Sequence, residues 1–364
     1  DEIRSSVSFS LRTGSTFVEN LRLTGVENLN AEDNDLHNQI TGNAGNNILT
    51  GSLGNDTLRG GDGDDTLKGL EGFDRIFGGK GADTFVLGME NQRVVELRNA
   101  GYDTMSVSFS AALRDYSQHL DALILRGDDD IEGIGNGQNN TITGNDGDNW
   151  LNGAWGDDTL IGGDGADTLD DRFGENVLIG GDGDDTYRLH TSTFTITEEA
   201  GEGTDSIISD VAINLRNIGQ TIENVTLVGT GDVDATGNGL DNLIVGNDGN
   251  NRLLGASGDD TLLGGAGEDR LGGNKGNSTL TGGLDADEFA FFVSFGSSVI
   301  TDFDVNEVGE RVRFAATQIE DYADLIANHL RQSGADALIE QGTDEVSTIV
   351  GVDINDLTVD HFVF

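Results

Sequence analysis

Four aspartates, Asp56, Asp65, Asp74 and Asp83, follow one another at nine-residue steps, each within a glycine-bearing run. The clearest run is Gly60-Gly61-Asp62-Gly63-Asp64-Asp65-Thr66-Leu67-Lys68, of the form Gly-Gly-x-Gly-x-Asp-x-(large apolar)-x. Glycines at positions 1, 2 and 4 permit a tight turn with positive φ and let carbonyl oxygens point inward. The position-6 aspartate adds a carboxylate, and the position-8 residue reads as the inward side chain of a short strand. Carbonyl and carboxylate oxygens are hard donors. They suit calcium, which takes six to eight such ligands at flexible geometry, better than zinc or copper.

These turns sit in a larger period. Asp1, Asp103 and Asp205 open similar segments 102 residues apart, and Gly25, Gly127 and Gly229 keep that step, as do Phe85, Tyr187 and Phe289. Three copies therefore run in register, at residues 1–102, 103–204 and 205–295, followed by a smaller unit at 296–364. Such strict spacing points to a stacked structure, in which one added residue displaces everything after it. Each copy begins with strand-like alternation, as in Val7–Leu11 and Val18–Leu23, with counterparts at Met105–Phe109 and Ile207–Val211. It continues with six nonapeptides, near 33–86, 135–188 and 237–290. Copy one lacks the equivalents of Arg93 to Gly101, and the chain opens on Asp-Glu rather than Met, so an upstream extension is expected.

Position 6 changes in a regular way along each copy. Copy one carries Asn38, Asn47, Asp56, Asp65, Asp74 and Asp83; copy two carries Asn140, Asn149, Asp158, Asp167, Asn176 and Asp185. Copy three carries Asn242, Asn251, Asp260, Asp269, Ser278 and Asp287. Amides come first and carboxylates follow. A graded array is expected, strongest at Asp56/Asp74, Asp65/Asp83, Asp167/Asp185 and Asp269/Asp287.

Composition narrows the function. Sixty-six acidic against 20 basic residues leave a formal charge of −46, which excludes nucleic acid and disfavours an anionic membrane surface. That charge, with 55 glycines, would ordinarily mean disorder, yet apolar residues recur at fixed intervals. A hard divalent cation would neutralise the acid. The absence of cysteine removes disulfide and thiol chemistry, and no apolar run is long enough for a membrane-spanning helix. His37, His119, His190, His329 and His361 are scattered, and neither His-Glu-x-x-His nor Gly-x-Ser-x-Gly occurs. No catalysis is expected of this chain. An EF-hand does not fit, because Leu67 follows Asp62-x-Asp64 where that loop needs glycine.

The nonapeptide resembles the calcium-binding repeat of RTX (repeats-in-toxin) proteins. The resemblance implies an all-β fold, a right-handed parallel β-roll or β-solenoid in which each nonapeptide makes a half-turn and alternate motifs stack. Several calcium ions would lie between motifs n and n+2, held by position-6 side chains and by carbonyls of positions 1 to 4. The implied side-chain ligands are Asp56, Asp65, Asp74, Asp83, Asp158, Asp167, Asn176, Asp185, Asp260, Asp269 and Asp287. The implied carbonyls belong to Gly60-Gly61-Asp62-Gly63, Gly78-Gly79-Lys80-Gly81, Gly162-Gly163-Asp164-Gly165, Gly180-Gly181-Asp182-Gly183 and Gly264-Gly265-Ala266-Gly267. By register Asp65 belongs between Asn47 and Asp83, helping to hold two ions.

Residues 296–364 read as a small α+β cap, with apolar positions 319, 322, 326 and 330 at helical spacing, a stop at Ser333-Gly334, and a strand over Ser347–Val352. A solenoid needs such a cap, since its end exposes apolar core and open edges. Asp302-Phe303-Asp304 and the terminal Asp360-His361-Phe362-Val363-Phe364 also resemble the C-terminal region of RTX proteins exported by type I secretion, which implies that machinery as a partner. Trp150 and Trp155 fall at outward position 7 and turn position 3, suited to stacking on a sugar or on an adjoining strand. The expected function is a calcium-binding structural region of a secreted or cell-surface bacterial protein, folding on calcium outside the cell. The alternatives are an accessory module of an extracellular enzyme that modifies polysaccharide or hydrolyses its substrate, with the catalytic domain upstream, and an adhesin or surface-layer component bridged to other copies by calcium.

Overall fold

The computed structural model of the chain describes residues 1–13, 17–98, 100–219, 221–292, 296–315, 319–341 and 345–364. The expected copy boundary at 295 lies outside them. The chain packs as two compact units, Asp1–Asp185 with Thr193–Thr195, and Thr186–Ser192 with Ile196–Phe364. Both are parallel β-solenoids.

In the first unit the position-8 residues Ile40, Leu49, Leu58, Leu67, Ile76 and Phe85 are all fully buried. Positions 7 and 9 around Leu67, namely Thr66 and Lys68, are half-buried, which is the period-two alternation of a strand. Strands Thr57–Asp62, Thr66–Gly69, Arg75–Lys80 and Thr84–Leu87 result. Leu58 pairs with Ile76 and Leu67 with Phe85, both in parallel and each with the matching residue two nonapeptides on. One nonapeptide therefore makes a half-turn. Each buried leucine contributes about 1.5–3 kcal/mol, and two facing rows of them form the core.

The lead-in segments take longer steps. Phe9 pairs with Ala31, Phe85 with Met105 and Leu123 with Ile142, each separation exceeding two nonapeptides. The extra length is taken up in loops and in a single helical turn at Leu113–Tyr116, whose Leu113 is fully buried. The turn recurs one copy later at Leu215–Ile218, where the Asn214 side chain accepts the Arg216 amide. One copy winds a half-integral number of turns. Leu58 lies in the layer of Leu21, Ile40 and Ile76, whereas its counterpart Leu160 lies opposite, in the layer of Leu67, Phe85, Met105 and Ile142.

In the second unit the same winding runs to a cap that extends both layers. Strand Val299–Ile300 pairs in parallel with Thr279 and Leu280, and Arg311–Phe314 pairs with Glu288–Phe291. The terminal strand Phe362–Val363 then covers Val312 and Arg313. On the other layer, Leu330–Ser333, Asp336–Gln341 and Glu345–Ile349 form an antiparallel meander that joins Val299–Ile300. Antiparallel pairing ends the parallel stack.

The helix expected over 319–330 is shorter: an α-turn at Tyr322–Asp324 continues as a π-turn at Leu325–His329. Asp321 caps it by accepting the Asp324 amide at 2.9 Å. Its buried residue is Leu325, while Ile326 is half exposed. Leu330 leaves the helix because it pairs with Ile339 in the meander, and Ser333 ends that strand instead of the helix. The strand expected over Ser347–Val352 begins earlier and stops at Ile349. Among the described residues no helix is long and apolar enough to cross a membrane.

Candidate metal centres

Each glycine of the turn has its own task. Positions 2 and 4 carry positive φ, as at Gly79 (+127°) and Gly81 (+124°). Position 1 lies in ordinary extended backbone, so positive φ is not its reason for being glycine. A β-carbon at Gly60 would overlap Asp65 Oδ2 and press on the Gly78 carbonyl oxygen. The same collision recurs at Gly162, with Asp167 Oδ2 and the Gly180 carbonyl, and at Gly264, with Asp269 Oδ2 and the Gly282 carbonyl. A position-6 carboxylate oxygen and a position-1 carbonyl oxygen thus converge on one point, with only glycine leaving them room.

The carboxylates form buried ladders. Asp56, Asp65, Asp74, Asp83, Asp158, Asp167, Asp185, Asp260, Asp269 and Asp287 are all at most 2% exposed. In one row Asn38 N–H donates to Asp56 Oδ1 at 2.7 Å and Asp56 N–H to Asp74 Oδ1 at 2.8 Å. In the other row Asn47 donates to Asp65 at 2.7 Å and Asp65 to Asp83 at 2.8 Å. Asp65 therefore stands between Asn47 and Asp83. Asp158 is stacked on Asn176 (2.6 Å), Asp167 on Asp185 (2.7 Å), Asp269 on Asp287 (2.9 Å) and Asp260 on Ser278 (3.3 Å). Oδ1 is satisfied in each carboxylate that accepts such an amide. Oδ2 of Asp56, Asp65, Asp83, Asp167, Asp260 and Asp269 is buried with no hydrogen-bond partner.

A buried anionic oxygen facing a carbonyl oxygen, with no donor, is an unfavourable arrangement that a cation would reverse. The acidity of these groups reflects that cost. Burial pushes Asp65, Asp74 and Asp167 up to about 6, and Asp83, Asp260 and Asp269 to about 7. Burial, with Glu310 and Asp269 nearby, raises Asp287 to about 8. The donor set is all oxygen, so calcium fits and softer metals do not. Not every proposed carbonyl is bare, since those of Lys80 and Asp182 already accept the amides of Gly63 and Gly165.

Six stretches, residues 33–67, 59–91, 134–169, 161–189, 236–271 and 264–290, match the profile of the RTX calcium-binding nonapeptide repeat. The chain carries RTX calcium-binding repeats. In structure it is similar to an extracellular lipase of Serratia marcescens, with TM-score 0.22 and 12% identity over 82% of this chain and 67% of that one. It is also similar to a subunit of the mannuronan C5-epimerase of Azotobacter vinelandii, with TM-score 0.19 and 25% identity over 37% of this chain and 80% of that one. No curated protein matches the chain.

The RTX turns that begin each copy differ from those that follow. Asn47 Oδ1 accepts the Asn43 amide at 2.8 Å, and its Nδ2 donates to the Leu29 carbonyl at 3.0 Å. Asn140, Asn149, Asn242 and Asn251 likewise accept the amides of Asn136, Asn145, Asn238 and Asn247. An amide supplies its own donor where a carboxylate needs a cation. These five early turns are closed by their own amides, whereas Asn38 Oδ1, in the first nonapeptide of copy one, is buried with no such donor.

Several partners of the RTX ladder lie off the motif. Gln92 Nε2 donates to Asp74 Oδ2 at 2.7 Å, so an amide occupies the second oxygen of Asp74. Glu310 accepts the Asp287 amide at 2.7 Å and continues the ladder into the cap. Asp33, at position 1 where copies two and three have Gly135 and Gly237, is pushed up to about 8 by burial and by Asp56. The motif residues of the cap also have structural tasks. Asp302 accepts the Gly282 and Gly283 amides, and Phe303 stands edge-on to His361 at 5.9 Å. Trp155 stacks at 4.1 Å on Phe173, its counterpart two nonapeptides on, which is the adjoining-turn contact expected of position 3.

Raised carboxylate values mean that the folded RTX chain without metal binds more protons than the unfolded chain. Its stability therefore rises as pH falls from about 8, the Asp287 value, toward 3.8, the ordinary value. Chelated protein is expected to gain β signal in circular dichroism between pH 8 and pH 5. A signal independent of pH would contradict the buried, metal-free carboxylates.

Proposed function

We propose that the chain is the calcium-responsive structural region of a secreted or cell-surface bacterial protein, passing the type I machinery unfolded and folding on calcium outside. RTX calcium-binding repeats are typical of secreted proteins. The observation that carries the reading is the row of buried carboxylates whose second oxygen has no partner but a carbonyl. A formal charge of −46 keeps the metal-free chain expanded. Calcium then supplies neutralisation and a fixed point for each turn. Extracellular-type sites bind with Kd of roughly 10⁻⁴–10⁻³ M, so they are filled outside a cell and empty within it.

The test is the calcium concentration at half-folding, read by far-ultraviolet circular dichroism. A midpoint in that range is expected. A submicromolar midpoint would mean folding before export and would overturn the reading.

A further inference from the structure

We propose that Asp83, Glu96 and Asp103 hold an additional hard divalent cation, calcium, where the nonapeptides of the first copy end. This rests on the calcium reading of the turns, but the site lies outside any nonapeptide pair. One oxygen of each residue lies within 4.8 Å of the others. The three residues are 1%, 6% and 1% exposed. Each anchors one oxygen on a main-chain amide: Asp83 Oδ1 on Asp65 (2.8 Å), Asp103 Oδ1 on Asp83 (2.9 Å) and Glu96 Oε1 on Leu97 (2.6 Å). Each leaves the other oxygen, Asp83 Oδ2, Asp103 Oδ2 and Glu96 Oε2, buried with no hydrogen-bond partner.

Three uncompensated carboxylate oxygens aimed at one buried point repel one another, and burial first, then the neighbouring aspartates, pushes Glu96 up to about 8. No basic side chain pairs with any of the three among the described ion pairs. Gly78 makes the space, since a β-carbon there would overlap both Glu96 Oε2 and Asp83 Oδ2. Oxygen-only donors select calcium over zinc or copper. The site differs from an RTX turn in charge: three carboxylates converge where a turn has two stacked position-6 side chains. Strand Arg93–Val95, just before Glu96, pairs with Arg75–Phe77, so an ion here ties the lead-in of the second copy to the last turn of the first. In sequence the trio recurs one copy on, as Asp185, Glu198 and Asp205.

The experiment counts bound ions by native mass spectrometry in the full chain at saturating calcium, for the natural protein and for Glu96→Gln. This substitution keeps shape and removes charge. The variant is expected to bind at least one ion fewer while the remaining ions stay bound. An unchanged ion count in the variant would overturn the inference and identify Glu96 as a protonated structural side chain. No calcium on the natural protein would instead overturn the reading of the turns and this site with it. Should the variant not fold, crystals of the natural protein grown with calcium decide. An anomalous peak bonded to Glu96 supports the site, and peaks at the turns with none at Glu96 overturn it.

Discussion

Asp65→Ala is expected to raise the calcium midpoint of folding at least about tenfold, whereas Asp64→Ala, one residue earlier, shifts it by less than about threefold. Asp65 is buried and holds the Asn47 amide, while its own amide is held by Asp83. Removing it strands a buried N–H, at about 1–3 kcal/mol. It also removes a carboxylate from two successive turns, and about 1.4 kcal/mol already corresponds to a tenfold change. Asp64 is exposed and belongs to an outer ladder, in which its amide donates to Asn46 and its carboxylate accepts from Ala82. Its loss exchanges one exposed bond for water, about 0.5 kcal/mol. Both variants are read by calcium titration followed by circular dichroism. Equal shifts would place the metal-facing carboxylate at the wrong position of the nonapeptide.

The winding was legible because its signals are local and repeated. Leu67 announces its buried strand by period two, and its pairing with Phe85 follows once each nonapeptide is seen to make a half-turn. The position-6 side chains were legible for the same reason, and the structure stacks alternate ones, as it does Asp65 and Asp83. What the nonapeptide did not reveal is how the amides differ from the carboxylates. The Asn47 side chain closes its turn through Asn43 and Leu29, a contact that needs the preceding turn in place. Gln92 stands nine residues after Asp83 and so extends the position-6 step, whereas Glu96 and Glu310 reach the ladder off that step and nothing in their local sequence marks them. Glu96 could have been found from the long register that relates the copies, which sets Glu198 at the matching place.

The cap was less legible. Tyr322 and Ile326 have helical spacing, but pairing of Leu330 with Ile339 competes for the end of that helix, and a long-range pairing leaves no trace in local periodicity. The aromatic residues at the C-terminus are clearer in retrospect. Phe362 packs near Phe314 and Tyr322, and Phe364 packs 5.5 Å from Phe314, so the last residues seal the core that the final strands would expose.

Calcium removal should have the largest effect of all. In its absence the ladders keep their buried oxygens without partners, and self-repulsion of a chain with formal charge −46 opposes collapse. Each site filled at tenfold excess over Kd adds about 1.4 kcal/mol, and several sites accumulate. Magnesium is a poor substitute, because it demands near-octahedral geometry and gives up water reluctantly. The most direct measurement is the far-ultraviolet circular dichroism of the chain at neutral pH in chelator, then in millimolar calcium. The buried carboxylate ladders predict a disordered spectrum in chelator that becomes a β spectrum on adding calcium and returns to the disordered one when the calcium is chelated again. The same β spectrum with and without calcium would contradict them.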